Sequence, residues 1–207
     1  MDIPTIQPPR LKTGDTLAIV APAGPIESLQ GLQQGITLLE RMGFRVRFDD
    51  RIFQSSRYLA GDDASRAGEL LKAFKDPAVS GIISLRGGYG CSRLIPLLTG
   101  KRLRQNPKVF MGFSDLTTLH LFFRRRFGWV TLHGPMAASI GSISASQEQH
   151  IFSMWTDPGY RPVLSFEQLE TWAPGSAEGV LTGGCLSLVA ASIGTPYEIR
   201  TEGQILF

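Results

Sequence analysis

Apolar positions along this chain switch repeatedly between a short unbroken run and a helical period. Thr16 to Ala21 (TLAIVA) is apolar, follows Gly14 and Asp15, and is ended by Pro22 and Pro25, which is the pattern of a buried strand. Leu29, Leu32, Ile36, Leu39 and Met42 then recur at helical spacing, and Gly43 closes that helix. Arg45 to Phe48 alternates as a second strand. Ala64 to Phe74 reads as a second helix, capped by Asp62 or Asp63, with Pro77 just beyond its end. A third strand, Gly81 to Leu85, runs directly into RGGYG (86–90). Val109 to Met111 is a fourth strand, followed by a helix from about Asp115 to Arg126. Trp129 to Leu132 is a fifth, and Gln147 to Trp155 a further helix. Strands alternating with helices at this pitch predict an α/β fold, a parallel sheet with helices on both faces.

The texture changes at Asp157. Residues 157–178 are rich in Pro, Gly, Trp and Glu without a clear period, which reads as a linker out of an N-terminal domain spanning 1–156. GVLTGGCLSLVAASIG then predicts a short strand, a Gly-Gly turn and a small-residue helix ending at Gly194, and QILF repeats the apolar pattern of a strand. An apolar run needs neighbours to bury it, so residues 179–207 read as the start of a smaller C-terminal domain, incomplete at its end.

Composition narrows the function. The 207 residues are 43% apolar and 19% charged, with a net charge of +3. The basic residues cluster at Lys101, Arg102, Arg104 and Lys108, and again at Arg124, Arg125 and Arg126. No aromatic platform or base-reading motif accompanies them, which argues against a nucleic-acid partner. They read as solvated surface, and a mildly basic balance also suits a small anionic substrate. Cys91 and Cys185, far apart and without ligand spacing, exclude a disulfide framework and a zinc cluster, and nothing points to a cofactor. The opening MDIPTIQPPRLKTGD lacks a basic-then-apolar signal and no apolar run approaches a membrane span, so the expected location is the cytoplasm.

In a doubly wound sheet, ligands bind outside the carboxyl ends of the strands. Three features fall there: RGGYG, GFSD (112–115) and LHGPM (132–136). Ser114, between a strand and a helix, is placed for a strained turn that exposes its hydroxyl, with Gly112 as the small neighbour such a turn needs. Leu116 stands where the hydrolase pattern G-x-S-x-G has its second glycine, and the local pattern by itself favours Ser114 or Asp115 as a helix cap over a nucleophile. The glycines of RGGYG let backbone N–H groups approach an oxyanion or phosphate, but Arg93 stands where a dinucleotide fingerprint has its third glycine, and no Walker A run is present. His133 ends a strand on the same edge and is a candidate general base or a structural neighbour. His120 lies more than a turn from Ser114, largely on another face, and His150 lies on a polar stretch.

Taken together, GDTLAIVAPAGP, RGGYGCSRLIPLL, NPKVFMGFSDLTTLH, LHGPM and TGGCLSLVAASIGTPYEIRTEGQILF resemble the serine LD-carboxypeptidases, the muramoyltetrapeptide carboxypeptidases and their microcin-C-immunity relatives. The resemblance covers nearly the whole chain. It implies a serine peptidase without cofactor or metal, a cytoplasmic homodimer of cell-wall recycling that cleaves the L,D bond before the terminal D-alanine of murein tetrapeptide. Ser114 would be the nucleophile, and the amides of Asp115 and Gly88 the oxyanion hole. Arg86, Gly87, Tyr89 and His133 would line the substrate site, Arg86 either receiving a substrate carboxylate or making a structural salt bridge. The family's glutamate and histidine come from the C-terminal domain, the glutamate just after the ILF strand and the histidine much later. Neither Glu198, Glu202 nor His133 matches them, so this chain by itself is expected to be nearly inactive. Cys185 departs from the asparagine common after Gly-Gly. The alternatives are an immunity peptidase acting on a microcin-C-type toxin, and a non-catalytic α/β module in which RGGYG holds an anion and Ser114 only caps.

Overall fold

The computed structural model describes residues 3–99, 101–163 and 170–207; residues 164–169, inside the expected linker, lie outside the described residues. β1 (Thr16–Val20) leads into α1 (Leu29–Arg41) and β2 (Arg45–Arg47), followed by α2 (Asp63–Lys75), β3 (Gly81–Ser84) and two short helices, α3 (Cys91–Leu94) and α4 (Lys101–Arg104). β4 (Val109–Gly112), α5 (Thr117–Phe127), β5 (Leu132–His133) and α6 (Ala145–Thr156) complete the unit. The five strands form one sheet in the order β2-β1-β3-β4-β5, with every pair parallel. The order reverses between β1 and β3, which opens a crevice at the carboxyl ends of those strands.

Strand alternation explains the two cores. In β1, Ala18 and Val20 face one side while Leu17 and Ile19 face the other; Ile82 and Ile83 in β3, and Phe110 and Met111 in β4, divide the same way. The first face is covered by α2 and α5, with Phe74 and Phe123 packed on Phe110 and Trp129 packed in turn on Phe74 and Phe123. The second is covered by α1 and α6, with Leu32, Leu39, Phe44 and Trp155. Helix starts are fixed by side chains: Ser28 accepts from the Gly31 amide at 2.9 Å, Asp62 from the Ser65 amide at 2.8 Å, and Ser144 and Gln147 form a capping box on α6. Gly31 and Gly35 let the backbone of 137–141 lie directly on α1, since a Cβ at either would collide with a carbonyl oxygen of Ala138 or Ala137.

The fifth strand departs from the sequence pattern. Pairing with β4 occurs only at Leu132 and His133, whereas Trp129 makes an isolated bridge with Ile6. Trp129 is taken by the core instead, its ring 5.0 Å from Phe127 and 5.2 Å from Phe74, so the apolar run enters the interior before it reaches the sheet. The helix expected from Asp115 begins with a 3-10 turn over Ser114–Leu116, and α5 proper starts at Thr117.

Beyond the linker, β6 (Val180–Thr182), α7 (Leu186–Ala191) and β7 (Gln204–Leu206) follow, and β6 pairs parallel with β7. The small-residue helix therefore stops at Ala191, three residues before Gly194. This segment meets the first unit at α5, where the Cys185 amide donates to Thr117 Oγ1 at 3.1 Å.

Candidate active site

Ser114 occupies the turn between β4 and α5 with φ +60°, one of two non-glycine residues in the left-handed region among the described residues. That conformation is strained for a residue with a Cβ and is associated with functional sites. Gly112 permits the turn, because a Cβ there would lie 2.8 Å from Leu116 Cγ. The Ser114 side chain is half-buried and makes no hydrogen bond to another described residue. Neither the 3-10 turn nor α5 has a side-chain cap at its start. Ser114 therefore caps nothing, which removes the capping alternative. Asp115 does not cap its own helix either: its buried carboxylate accepts from the Cys91 amide at 2.8 Å, in the loop after β3. Burial raises the Asp115 pKa, and the Cys91 amide offsets this in part.

RGGYG lies against this turn. A Cβ on Gly87 would sit 2.9 Å from Ser114 Cβ and 3.1 Å from its Oγ, so only glycine allows that approach. Gly88 (φ +124°) packs on the backbone of Gly24, whose amide donates to the Gly87 carbonyl at 3.0 Å. Neither the Gly88 nor the Asp115 amide donates to another described residue. Gly90 (φ +102°) lies over the buried guanidinium of Arg66, which donates to the Pro22 carbonyl and pairs with Asp63. Three strand-end loops, after β1, β3 and β4, are thus fastened together.

The remaining candidates divide. Arg86 pairs with Glu27 and donates to the Pro25 carbonyl at 3.2 Å, so it holds the loop after β1; Glu27 is itself 74% exposed on its side chain. Tyr89 is 69% exposed and meets the exposed Tyr58 edge-on, with centroids 6.0 Å apart. His133 is exposed at the end of β5, between the rings of Phe113 (6.1 Å) and Phe207 (5.3 Å), and makes no hydrogen bond to Ser114. Partial burial lowers its pKa below 6.5. Ser114, Gly87 and Asp115 are brought together with the Gly88 loop, while His133 is not brought to Ser114 as a base.

His120 has a role its sequence position does not announce. Its Nε2 lies 2.9 Å from the Gly112 carbonyl and its Nδ1 2.9 Å from Thr131 Oγ1. A carbonyl only accepts, so Nε2 carries the proton and the Thr131 hydroxyl donates to Nδ1. Full burial lowers its pKa to about 4, and the neutral ring braces the end of β4 just before Ser114. A polar residue on an otherwise apolar helix face was the only signal. His150 contacts Tyr160 Oη at 2.8 Å, away from these loops.

Among the described residues no cluster of three or more His, Cys, Asp or Glu could hold a metal, and no helix is long and apolar enough to cross a membrane. A free hydroxyl on a strained turn beside undonated amides is a set suited to acyl transfer.

Comparison with known proteins agrees with these features. Residues 17–134 match the LD-carboxypeptidase N-terminal domain, and residues 178–207 match the LD-carboxypeptidase C-terminal domain. The chain is similar to a putative carboxypeptidase of Streptomyces coelicolor, 41% identical over 93% of this chain and 63% of that protein. It is also similar to a probable murein peptide carboxypeptidase of Bacillus subtilis, 34% identical over 97% of this chain and 64% of that protein. The chain thus spans a little under two thirds of these relatives' length. Among solved structures, an MccF-like protein from Bacillus anthracis superposes with a TM-score of 0.88 at 27% identity, over 98% of this chain and 69% of that one. The strand-end loops, the left-handed serine and the matched domains lead to one conclusion: the chain belongs to the LD-carboxypeptidase family.

Proposed function

We propose that this chain carries the nucleophilic half of a serine LD-carboxypeptidase that removes the terminal D-alanine from murein tetrapeptide. One observation carries the reading: Ser114 is held at φ +60° on the strand-to-helix turn, packed by Gly87, with its hydroxyl capping no helix.

Ser114 Oγ attacks the carbonyl of the L,D bond and gives up its proton. The oxyanion that forms accepts from the Asp115 and Gly88 amides, each donor supplying about 3 kcal/mol of barrier reduction. Collapse breaks the C–N bond, D-alanine leaves as a protonated amine, and water then releases the tetrapeptide's shortened product from the acyl-serine. A base must take and return the proton, and no described side chain hydrogen-bonds the Ser114 hydroxyl to do so. The family resemblance assigns that work to a glutamate and a histidine C-terminal to position 207, so the 207 residues alone are expected to turn over slowly. A substrate carboxylate at Arg86 would compete with Glu27, which already pairs with its Nη1. The reading includes a homodimer, which light scattering of the purified protein tests, and a cytoplasmic location, which cell fractionation tests.

A second reading has a structural basis of its own, the close superposition on an MccF-like protein. An immunity peptidase would use the same serine on a microcin-C-type toxin. Labelling the native protein, with any flanking sequence, by a serine-directed fluorophosphonate tests the common step; absence of an adduct at Ser114 overturns both readings. Release of D-alanine from murein tetrapeptide, measured against hydrolysis of an aminoacyl sulfamoyl nucleoside, separates them.

A further inference from the structure

The segment 87–91 crosses the nucleophile turn and touches it at both ends. At one end Gly87 lies on Ser114, close enough that a Cβ would collide. At the other, the Cys91 amide donates to Asp115 Oδ2 at 2.8 Å. Gly88, with its undonated amide, lies between those two fastenings. Gly88 and Gly90 both take left-handed conformations, so the segment has no backbone preference of its own and depends on its contacts, the Gly24 amide on Gly87 and Arg66 under Gly90 among them, to hold its shape. Cys91 opens α3, and its N-cap, Gly90, has no side chain to offer the first amides. Asp115, from a different strand end, supplies that acceptor, while its own amide donates to no other described residue. Asp115 is 6% exposed and burial raises its pKa, so this acceptor is kept there against a desolvation cost, offset by the Cys91 amide that it holds.

We propose that the Asp115 carboxylate is a positioning group that fixes the spacing between the Gly88 and Asp115 amides by clamping Cys91 to the nucleophile turn. It rests on the serine reading above but assigns to the side chain a role distinct from that of the backbone amide. It acts through the loop and touches no substrate atom. Its loss leaves substrate binding largely intact and weakens only what the two amides hold together, the tetrahedral intermediate.

The test uses the native protein with Asp115→Ala, Asp115→Asn and Ser114→Ala, assayed on murein tetrapeptide and inhibited by a tetrahedral peptide phosphonate. Asp115→Ala is expected to lower kcat about 10²-fold, as loss of one oxyanion donor does, with KM within about 3-fold. Phosphonate affinity falls in parallel with kcat. Asp115→Asn keeps an oxygen within reach of the Cys91 amide and is expected to stay within about 5-fold of the parent. Should Asp115→Ala fail to fold, Asp115→Ser, whose oxygen is too short to reach Cys91, is read by the same kcat-to-KM split. Unchanged kcat and phosphonate affinity in the truncated variant overturn the clamp, as does a loss of equal size in Asp115→Asn. Full turnover by Ser114→Ala instead overturns the serine reading itself, so the two failures are told apart.

Discussion

The carboxyl edge of the main sheet and the segment 178–207 are both loop-rich, yet they are built in opposite ways. At the edge, β3 and β4 are buried at every position and Ser114 is forced into a strained backbone conformation that its surroundings enforce. In 178–207 the apolar side chains of Val180, Leu181, Leu186, Ile193, Leu206 and Phe207 are exposed, while Val189 and Ser192 are buried. The segment joins the first unit through Cys185 on Thr117 and the close seat of Gly184 on the same threonine. Strain can be stored only where packing over-determines the chain. Strain is thus held in the fully packed first unit, while the apolar side chains of 178–207 stand uncovered among the described residues.

The largest effect comes from breaking the strained point. Ser114→Ala is expected to lower turnover of the native protein by about 10⁵–10⁶-fold. Ser114→Gly should be as inactive yet more stable by about 1 kcal/mol, because glycine adopts a left-handed backbone without penalty. A thermal melt showing no gain for the glycine variant contradicts stored strain.

Acid should loosen the same edge through His120. Its folded pKa of about 4 lies below the ordinary 6.5, so between those values the unfolded chain binds the extra proton. Stability from this group is complete above pH 6.5, falls as pH drops toward 4, and falls no further below it, a total of roughly 3 kcal/mol. Denaturant midpoints measured across that window should lose this slope in His120→Gln.

Gly87→Ala pushes a methyl group against Ser114. It is expected to reduce kcat about 10²-fold, as small displacements of reacting groups do, with the folded state retained by circular dichroism. Wild-type kcat would mean that the Gly87 approach is not needed.

The smallest effect sharpens the other side of the comparison. Thr117→Val removes the acceptor of the Cys185 amide and should release segment 178–207 by about 1 kcal/mol. Limited proteolysis should then cut within 157–207 faster while the fragment holding 1–156, the proposed N-terminal domain, resists at its former rate.

Much of this organisation was legible in the sequence because it is local. Short unbroken apolar runs marked β1, β3 and β4, and helical periods marked α1 and α2, to within a residue or two, and Asp62 and Gly43 marked helix ends. Where long-range packing decided, pattern reading fell short. Trp129 reads as strand, but its ring is claimed by Phe74, Phe123 and Phe127. Ser114 could not be told from a cap by its neighbours in sequence, because what distinguishes it is Gly87, 27 residues away. The Asp115–Cys91 bond and the His120 brace were illegible for the same reason: each joins elements whose approach the sheet alone determines.

The strand order has a kinetic consequence. Ser114 meets its constraining neighbours only after β3 and β4, whose partners are 28 residues apart in the chain, have paired. Non-local pairing forms slowly, and a turn held by it belongs to the late part of folding. Relief of the turn should then appear on one limb of the chevron only: Ser114→Gly slows unfolding and leaves the folding rate unchanged.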